Sequence, residues 1–314
     1  MALFERIFVI TKKTALQELQ ERFNTREQAR FYIEHMGGSF SDYEDAHIRY
    51  ELALQVLSEA IPDSVRCQFV ERSFVPNLVF GGTDLIVTLG PDGLVVNTAK
   101  YVTDQPIVAF NPDPSRIDGV LIPFHMSGAA ETLARVLAGR HAMRQVSMAR
   151  AQLNDGQRLY AVNDLFVGQR THVSARYELR HAGRAEAQSS SGIIVSTGAG
   201  STGWLSSVQA GATAVVEALS LAQGVARAPD AYHRLTWEAD LLIFAVREPF
   251  VSNVSSANIT CGYIQPGDRL QVVSHMPQNG VIFSDGIEAD YIEFNSGAVA
   301  DIMLAERKVS LVVG

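Results

Sequence analysis

Asp92 stands where an apolar run stops. Leu85-Ile-Val-Thr-Leu89 leads directly into Gly90-Pro91-Asp92-Gly93. A short apolar or β-branched run closed by glycine reads as a buried strand of an α/β sheet. Open α/β sheets place their ligands at the carboxyl ends of such strands. Aspartate is rarely buried unless it is paired, so packing accounts poorly for a carboxylate at this position. Its chemistry would be that of a general base or a ligand-orienting acceptor.

A second stretch, Gly198-Ala-Gly200-Ser-Thr-Gly203, is a formal Gly-x-Gly-x-x-Gly between the strand-like Gly192–Thr197 and a helical pattern. Small residues and hydroxyls at a helix start present free N–H groups to an anion or a ribose. An ordinary helix cap built from Ser201 and Thr202 explains the same residues equally well. A nicotinamide oxidoreductase would need an acidic residue ending the next strand, about 20 residues on. Glu217 has that spacing but lies inside a helical segment, and this reading ranks last. There is no Gly-x4-Gly-Lys-[Ser/Thr] loop, and the histidines lack metal-site spacing.

The elements that must carry these residues fall into two styles. Ile7–Thr11 reads as a first strand. Leu16, Leu19, Phe23, Tyr32, Ile33 and Met36 follow at helical spacing, up to Gly37-Gly38. A second helix is expected over Tyr43–Ala60, strands over Arg66–Arg72 and Pro106–Phe110, and a short helix over Leu94–Val102. That alternation predicts a Rossmann-like, doubly wound α/β domain over residues 1–126. Beyond a helical segment at Gly128–Gly139, strand runs separated by turn signals predict a β-sandwich-like all-β domain over 127–314, its C-terminal tail free to pack back on the first domain. The segment 221–238, with Gly224, Pro229 and Trp237, reads as a mobile or inserted loop.

Composition narrows the class. The 314 residues are 47% hydrophobic and 19% charged, with 34 acidic against 26 basic side chains. A net charge of −8 argues against nucleic acid or an anionic membrane as the main partner. No apolar run reaches membrane-spanning length, and the N-terminus lacks the flanks of a signal peptide. A cytoplasmic protein is expected, with Cys67 and Cys261 as buried thiols.

Asp92-Gly93, Asn163-Asp164 and Thr197-Gly-Ala-Gly-Ser-Thr-Gly-Trp204 occur in an order that resembles the NAD kinases. That family carries Gly-Gly-Asp-Gly, then Asn-Glu, then a Thr-x-Thr-Gly-Ser-Thr-Ala-Tyr-like run. The mitochondrial type is especially similar, through Thr11-Lys-Lys-Thr14, Asn111-Pro-Asp-Pro-Ser-Arg116, Ser190-Ser-Gly192, Arg247-Glu-Pro249, Asp285-Gly286 and Glu293-Phe-Asn-Ser-Gly297. The likeness extends over nearly the whole chain. It implies transfer of a phosphoryl group from ATP, or another donor such as polyphosphate, to the 2′-hydroxyl of the adenosine ribose of NAD, with Mg²⁺ or another divalent metal on the phosphates. It implies at least a homodimer.

By the same resemblance Asp92 is the catalytic base and Gly93 lets the backbone approach the substrate. Asn163 and Asp164 bind adenine-side amino and ribose groups, for which an amide and a carboxylate are matched partners. Thr197, Ser201, Thr202, Gly203, Trp204 and Ser207 line the pocket, Trp204 offering an aromatic face. Gly90 and Lys12 are placed to meet phosphate, although a solvated surface lysine is an equal reading of Lys12. The chain departs from the family pattern at Pro91 (for Gly), Leu94 (for Thr), Asp164 (for Glu), Gly203 (for Ala), Trp204 (for Tyr) and Ser191, where many bacterial members have Asp. Proline lacks an N–H, so one possible phosphate donor is gone. A catalytically silent NAD-binding or regulatory protein of the same fold is therefore the alternative.

Overall fold

A computed structural model describes residues 3–223 and 235–314. Two compact units emerge, Met1–Arg144 with Ser310–Gly314, and Gln145–Val309. The middle of the loop expected at 221–238 lies outside the described residues.

The first unit is wound as β1 (Arg6–Thr11), α1 (Ala15–Phe23), α2 (Arg26–His35), α3 (Phe40–Ala60), β2 (Arg66–Glu71), β3 (Asp84–Leu89), α4 (Asp92–Ala99), β4 (Ile107–Asn111), β5 (Phe124–His125) and α5 (Ala129–Leu137). β2, β1, β3, β4 and β5 pair in parallel in that order, and Leu311 adds a parallel partner to Ile107 of β4. Every residue of β3 and β4 is buried, as a parallel sheet covered on both faces requires. Alternate residues of these strands (Ile7, Val9, Leu85, Val87, Leu89, Val108, Phe110) share one cluster with Ala53 and Leu57 of α3 and Leu133 and Val136 of α5. Because α5 seals this cluster, the unit runs past residue 126 to Arg144.

Two local expectations change. The segment 16–36 is two helices, not one: Asn24 takes a left-handed conformation (φ 62°) and ends α1, and Thr25 caps α2 by accepting the Gln28 N–H. The helix after β3 begins at Asp92 itself, with Pro91 in the capping position. The proline ring suits a helix start because the donors there have no intrahelical partner.

The second unit holds β6 (Ala142–Leu153, entering from the first), β7 (Arg158–Ala161), β8 (Asp164–Gln169), β9 (Ala175–His181), β10 (Arg184–Ser190), β11 (Ile193–Ser196), α6 (Trp204–Gln223), β12 (Leu242–Val246), β13 (Cys261–Ile264), β14 (Leu270–Ser274), β15 (Gly280–Ser284), β16 (Ile287–Glu293) and β17 (Val299–Val313), whose last residues belong to the first unit. One antiparallel sheet has the order β13-β12-β11-β8-β15-β16; β10-β9-β14-β17, with β6 and β7, form the other. Their inner faces meet in a single core that includes Leu165, Val167, Tyr177, Ile193, Phe244, Val272, Ile282, Phe294 and Ile302. The expected architecture, an α/β unit followed by a β-sandwich, is what the chain adopts.

Cys67 and Cys261 are free but exposed, contrary to the expectation of burial. Cys67 lies on β2 and Cys261 on β13, each at the edge of its sheet, where one flank of the strand has no covering neighbour.

Candidate functional site

In the first unit the chemistry gathers at the carboxyl ends of β1 and β3. Asp92 opens α4, and its Oδ1 accepts the Leu121 N–H at 2.6 Å. That bond fixes the carboxylate, while Oδ2 has no partner among the described residues. A negative charge in the first turn of a helix is also favoured by the helix dipole. Gly93 is exposed, and a Cβ built on it meets nothing within 4 Å. Glycine costs about 1 kcal/mol against alanine in a helix, and the surrounding chain does not demand it here. The open space at Gly93 is compatible with the close approach of a ligand expected there. Gly90 donates its N–H to Phe110 O at 3.3 Å, and a Cβ there would lie 2.8 Å from the Leu94 side chain.

Lys12 follows β1 and takes part in no ion pair among the described residues. By contrast, the other acidic residue near a glycine pair, Asp84, is committed to structure. It is 3% exposed and accepts Arg6 Nε at 3.0 Å, Arg6 Nη2 at 2.8 Å and Gly81 N at 2.6 Å. These bonds hold its carboxyl below the usual range although burial opposes them.

In the second unit Asn163 and Asp164 sit at a corner fixed from two sides. Asp285 Oδ1 accepts the N–H groups of Asn163 (2.7 Å) and Asp164 (3.3 Å), and its Oδ2 that of Val162 (3.2 Å). Asp285 is itself in a left-handed conformation (φ 54°), followed by Gly286 (φ 71°), in the turn joining β15 to β16. Two such residues in succession are the requirement of a tight hairpin turn. On the other side Thr197 donates its N–H to Asn163 O at 2.9 Å and its hydroxyl to Val162 O.

The glycines of the Gly-x-Gly-x-x-Gly run are explained here. A Cβ on Gly198 would lie 1.8 Å from Thr236 O, and one on Gly200 would lie 2.3 Å from Asn163 O. Backbone packs on backbone at both positions, so the glycines serve the chain's own fold rather than a pyrophosphate turn, and the oxidoreductase reading lapses. Ser201 is buried and donates its hydroxyl to Gly198 O at 2.7 Å; Thr202 bonds back to Ala199 O at 3.5 Å. Both hydroxyls serve the turn Gly200–Thr202 that precedes α6.

Asp164 is 8% exposed, and its Oδ1 has no hydrogen-bond partner among the described residues. Burial, reinforced by the neighbouring Asp285 charge and opposed by a Ser196 hydrogen bond, pushes its carboxyl up to about 7. Desolvation of an unpaired carboxylate has this sign. A ligand hydroxyl or amine would supply the missing partner. Gly203 lies nearby, where a Cβ would stand 3.9 Å from Asp164 Oδ2 in ordinary contact.

Trp204 begins α6, stacked on Phe166 with centroids 5.6 Å apart and planes 13° apart, and Arg247 lies 5.4 Å over its ring. With Phe166, Arg170, Arg247 and Phe283 it lines a cavity of about 300 Å³. Ser207, one turn along α6, is exposed. Each unit thus gathers its own expected residues. Asp285, which anchors this corner, was not singled out as a site residue from the sequence; its Asp-Gly pair between two strand patterns was the available sign.

No protein-family model matches the chain. It is 24% identical over 367 residues to the human protein "NAD kinase 2, mitochondrial", covering 95% of this chain and 81% of that one. The rat protein of the same name matches equally well, over 85% of its length. Among solved structures, yeast NADH kinase complexed with NADH superposes with a TM-score of 0.59, at 16% identity, over 99% of this chain and 84% of that one. An NAD kinase from Archaeoglobus fulgidus in complex with ATP gives a TM-score of 0.55 at 15% identity, over 98% of this chain and 92% of that one.

Over nearly its whole length the chain is similar to NAD kinases. In keeping with that similarity it has an aspartate-glycine pair at the head of α4 and an Asn-acid pair at the start of β8. Its Pro91 replaces a glycine of the family pattern without disturbing the helix that follows.

Proposed function

We propose that this protein phosphorylates the 2′-hydroxyl of the adenosine ribose of NAD, giving NADP at the expense of ATP or another phosphate donor such as polyphosphate. The observation that carries the reading is Asp92: a carboxylate locked through one oxygen to Leu121 N–H, with its other oxygen unpartnered among the described residues, at the carboxyl end of a buried central strand. The ribose hydroxyl gives its proton to Asp92 as its oxygen forms the new bond to phosphorus. The bond from phosphorus to the bridging oxygen of the donor breaks, and ADP leaves when the donor is ATP. Positioning and charge neutralisation account for most of the catalysis such a reaction needs.

Asn163 and Asp164 recognise the nucleoside by amide and carboxylate hydrogen bonds, and Asp285 and Thr197 hold them in place. Among the described residues no group of three or more His, Cys, Asp or Glu could hold a metal ion. That suits Mg²⁺ carried by donor phosphates, which usually keeps its waters and takes few protein ligands. When bound, the ion neutralises developing charge on the phosphates.

A homodimer and a cytoplasmic location complete the proposal. The family resemblance supports the first, and two free, exposed thiols in an acidic protein suit the second. No helix of the described residues is long and apolar enough to cross a membrane. Incubation of the purified protein with NAD or NADH, Mg²⁺, and ATP, other nucleoside triphosphates or polyphosphate, followed by assay for NADP(H), tests the central claim. Tight NAD binding with no product from any donor would instead establish the silent alternative, for which Pro91 is the specific observation.

A further inference from the structure

Tyr50 of α3 stands between two strand ends. Its hydroxyl accepts the Lys12 N–H at 3.1 Å and donates to the Leu89 C=O at 3.2 Å. The register gives this bridge its meaning. Ile10 of β1 and Thr88 of β3 are the last partners in their pairing. One further step of a parallel ladder would send the Lys12 N–H directly to the Leu89 C=O. The phenol occupies that rung, so two main-chain groups that would otherwise meet are held apart by a hydroxyl.

Where the strands part there is a cavity of about 250 Å³, lined by Lys12, Ala46, Tyr50, Gly90, Pro91 and Arg116 among others. Its other charged groups are compensated: Lys13 pairs with Glu21 at 2.6 Å, Arg116 with Asp42 at 3.6 Å and Asp113 with Arg49 at 2.9 Å. Among the described residues Lys12 alone of these charges has no ion-pair partner.

We infer that Tyr50 is a positioning residue for the phosphate donor: its hydroxyl wedges β1 from β3, and the gap so made sets Lys12 beside the Gly90-Pro91 turn to receive a donor phosphate. The inference rests on the kinase reading for the identity of its ligand. The wedge itself follows from register and hydrogen bonds alone. Burial pushes the phenol up to about 12, so it stays protonated and keeps donating to Leu89 across the neutral range.

Tyr50→Phe keeps the ring in the core and deletes only the hydroxyl. A crystal structure of this variant should show Lys12 N and Leu89 O at direct hydrogen-bond distance. Titration calorimetry with inorganic triphosphate should show affinity lower on the order of tenfold or more, as small misplacements of positioning groups produce. KM for the donor should rise similarly, with KM for NAD unchanged. Strand ends that remain apart, or unchanged triphosphate affinity, would overturn the inference. If the wild type bound triphosphate and Tyr50→Phe lost it, but neither made NADP, the kinase reading would fall and the wedge would stand. Should Tyr50→Phe not fold, Ala46→Leu narrows the same cavity and leaves the phenol intact. It should weaken triphosphate binding comparably, and normal binding in that variant would overturn the inference.

Discussion

Asp285 carries the main chain of Asn163 on one carboxylate oxygen, at 2.7 Å, from 122 residues further along the chain. The same side chain also accepts from Val162 and Asp164, so three consecutive amides converge on one anion. Charge-assisted bonds of this kind are stronger than neutral ones. Asp285→Asn should cost roughly 1–3 kcal/mol of stability, because an amide oxygen cannot satisfy all three donors. It should also weaken NAD binding by loosening the corner. Thermal melts and calorimetric titration of the variant measure both effects.

Asp92→Asn preserves size and removes the basic lone pair. Turnover should fall by about 10² to 10⁴, the usual contribution of a general base, with NAD affinity changed only slightly. A variant retaining more than a tenth of wild-type kcat would take the base role away from Asp92.

Asp164 makes both stability and binding depend on pH. Its folded value is about 7 against an ordinary 3.8. Between these values the folded protein binds the extra proton, so stability declines as pH rises from near 4 to near 7 and levels off above. Asp164→Asn should flatten that slope and raise the melting temperature at pH 8. A ribose hydroxyl donating to the ionised carboxylate favours the deprotonated form. NAD should therefore bind more tightly as pH rises through 7, with proton release visible in calorimetry in buffers of different ionisation enthalpy. Affinity independent of pH between 5.5 and 8.5 would remove Asp164 from contact with the ligand.

Pro91→Gly returns an N–H to the turn before α4 and restores the family's glycine pair. If donor phosphates are held there, kcat/KM for ATP should rise by about tenfold to a hundredfold, the equivalent of one charge-assisted hydrogen bond of about 1.5–3 kcal/mol. A steady-state comparison of the two proteins over a range of ATP concentrations decides it.

Arg6→Met strands Asp84, whose carboxylate is buried. Removing one partner of such a pair costs roughly 3–5 kcal/mol when both are buried, and less here because Arg6 is partly exposed. The loss should appear as a lower melting temperature at neutral pH. It should shrink under acid conditions as Asp84 is protonated, since the depressed carboxyl stabilises the fold only above its ordinary range.

What could be read from the sequence followed from short-range pattern. The apolar run at 85–89 marked a central strand because both faces of β3 are buried. The hairpin-rich second half reported a sandwich through its turns. Longer-range features were not legible. Tyr50 is an unremarkable helix residue until α3 is laid across strand ends 38 and 39 residues away. The break between α1 and α2 turns on one left-handed Asn24, a conformation asparagine adopts more readily than most residues but that its sequence neighbours do not announce. The exposure of Cys67 and Cys261 depends on strand order, which neither residue's surroundings encode. The glycines at 198 and 200 read as part of a helix start open to an anion or a ribose, but what lies against them is this chain's own backbone.

The first unit is completed by Ser310–Gly314, far along the chain from the rest of it. Val312 lies in its core, and Leu311 supplies a parallel partner to Ile107. On a ribosome, residues 1–144 therefore emerge long before the segment that finishes their sheet, and β4 waits through the synthesis of the entire sandwich. The unit bearing Asp92 reaches its final form only after Ser310–Gly314 have been made. A truncation just before Leu311 would spare every residue assigned a role in phosphoryl transfer and still leave that sheet incomplete.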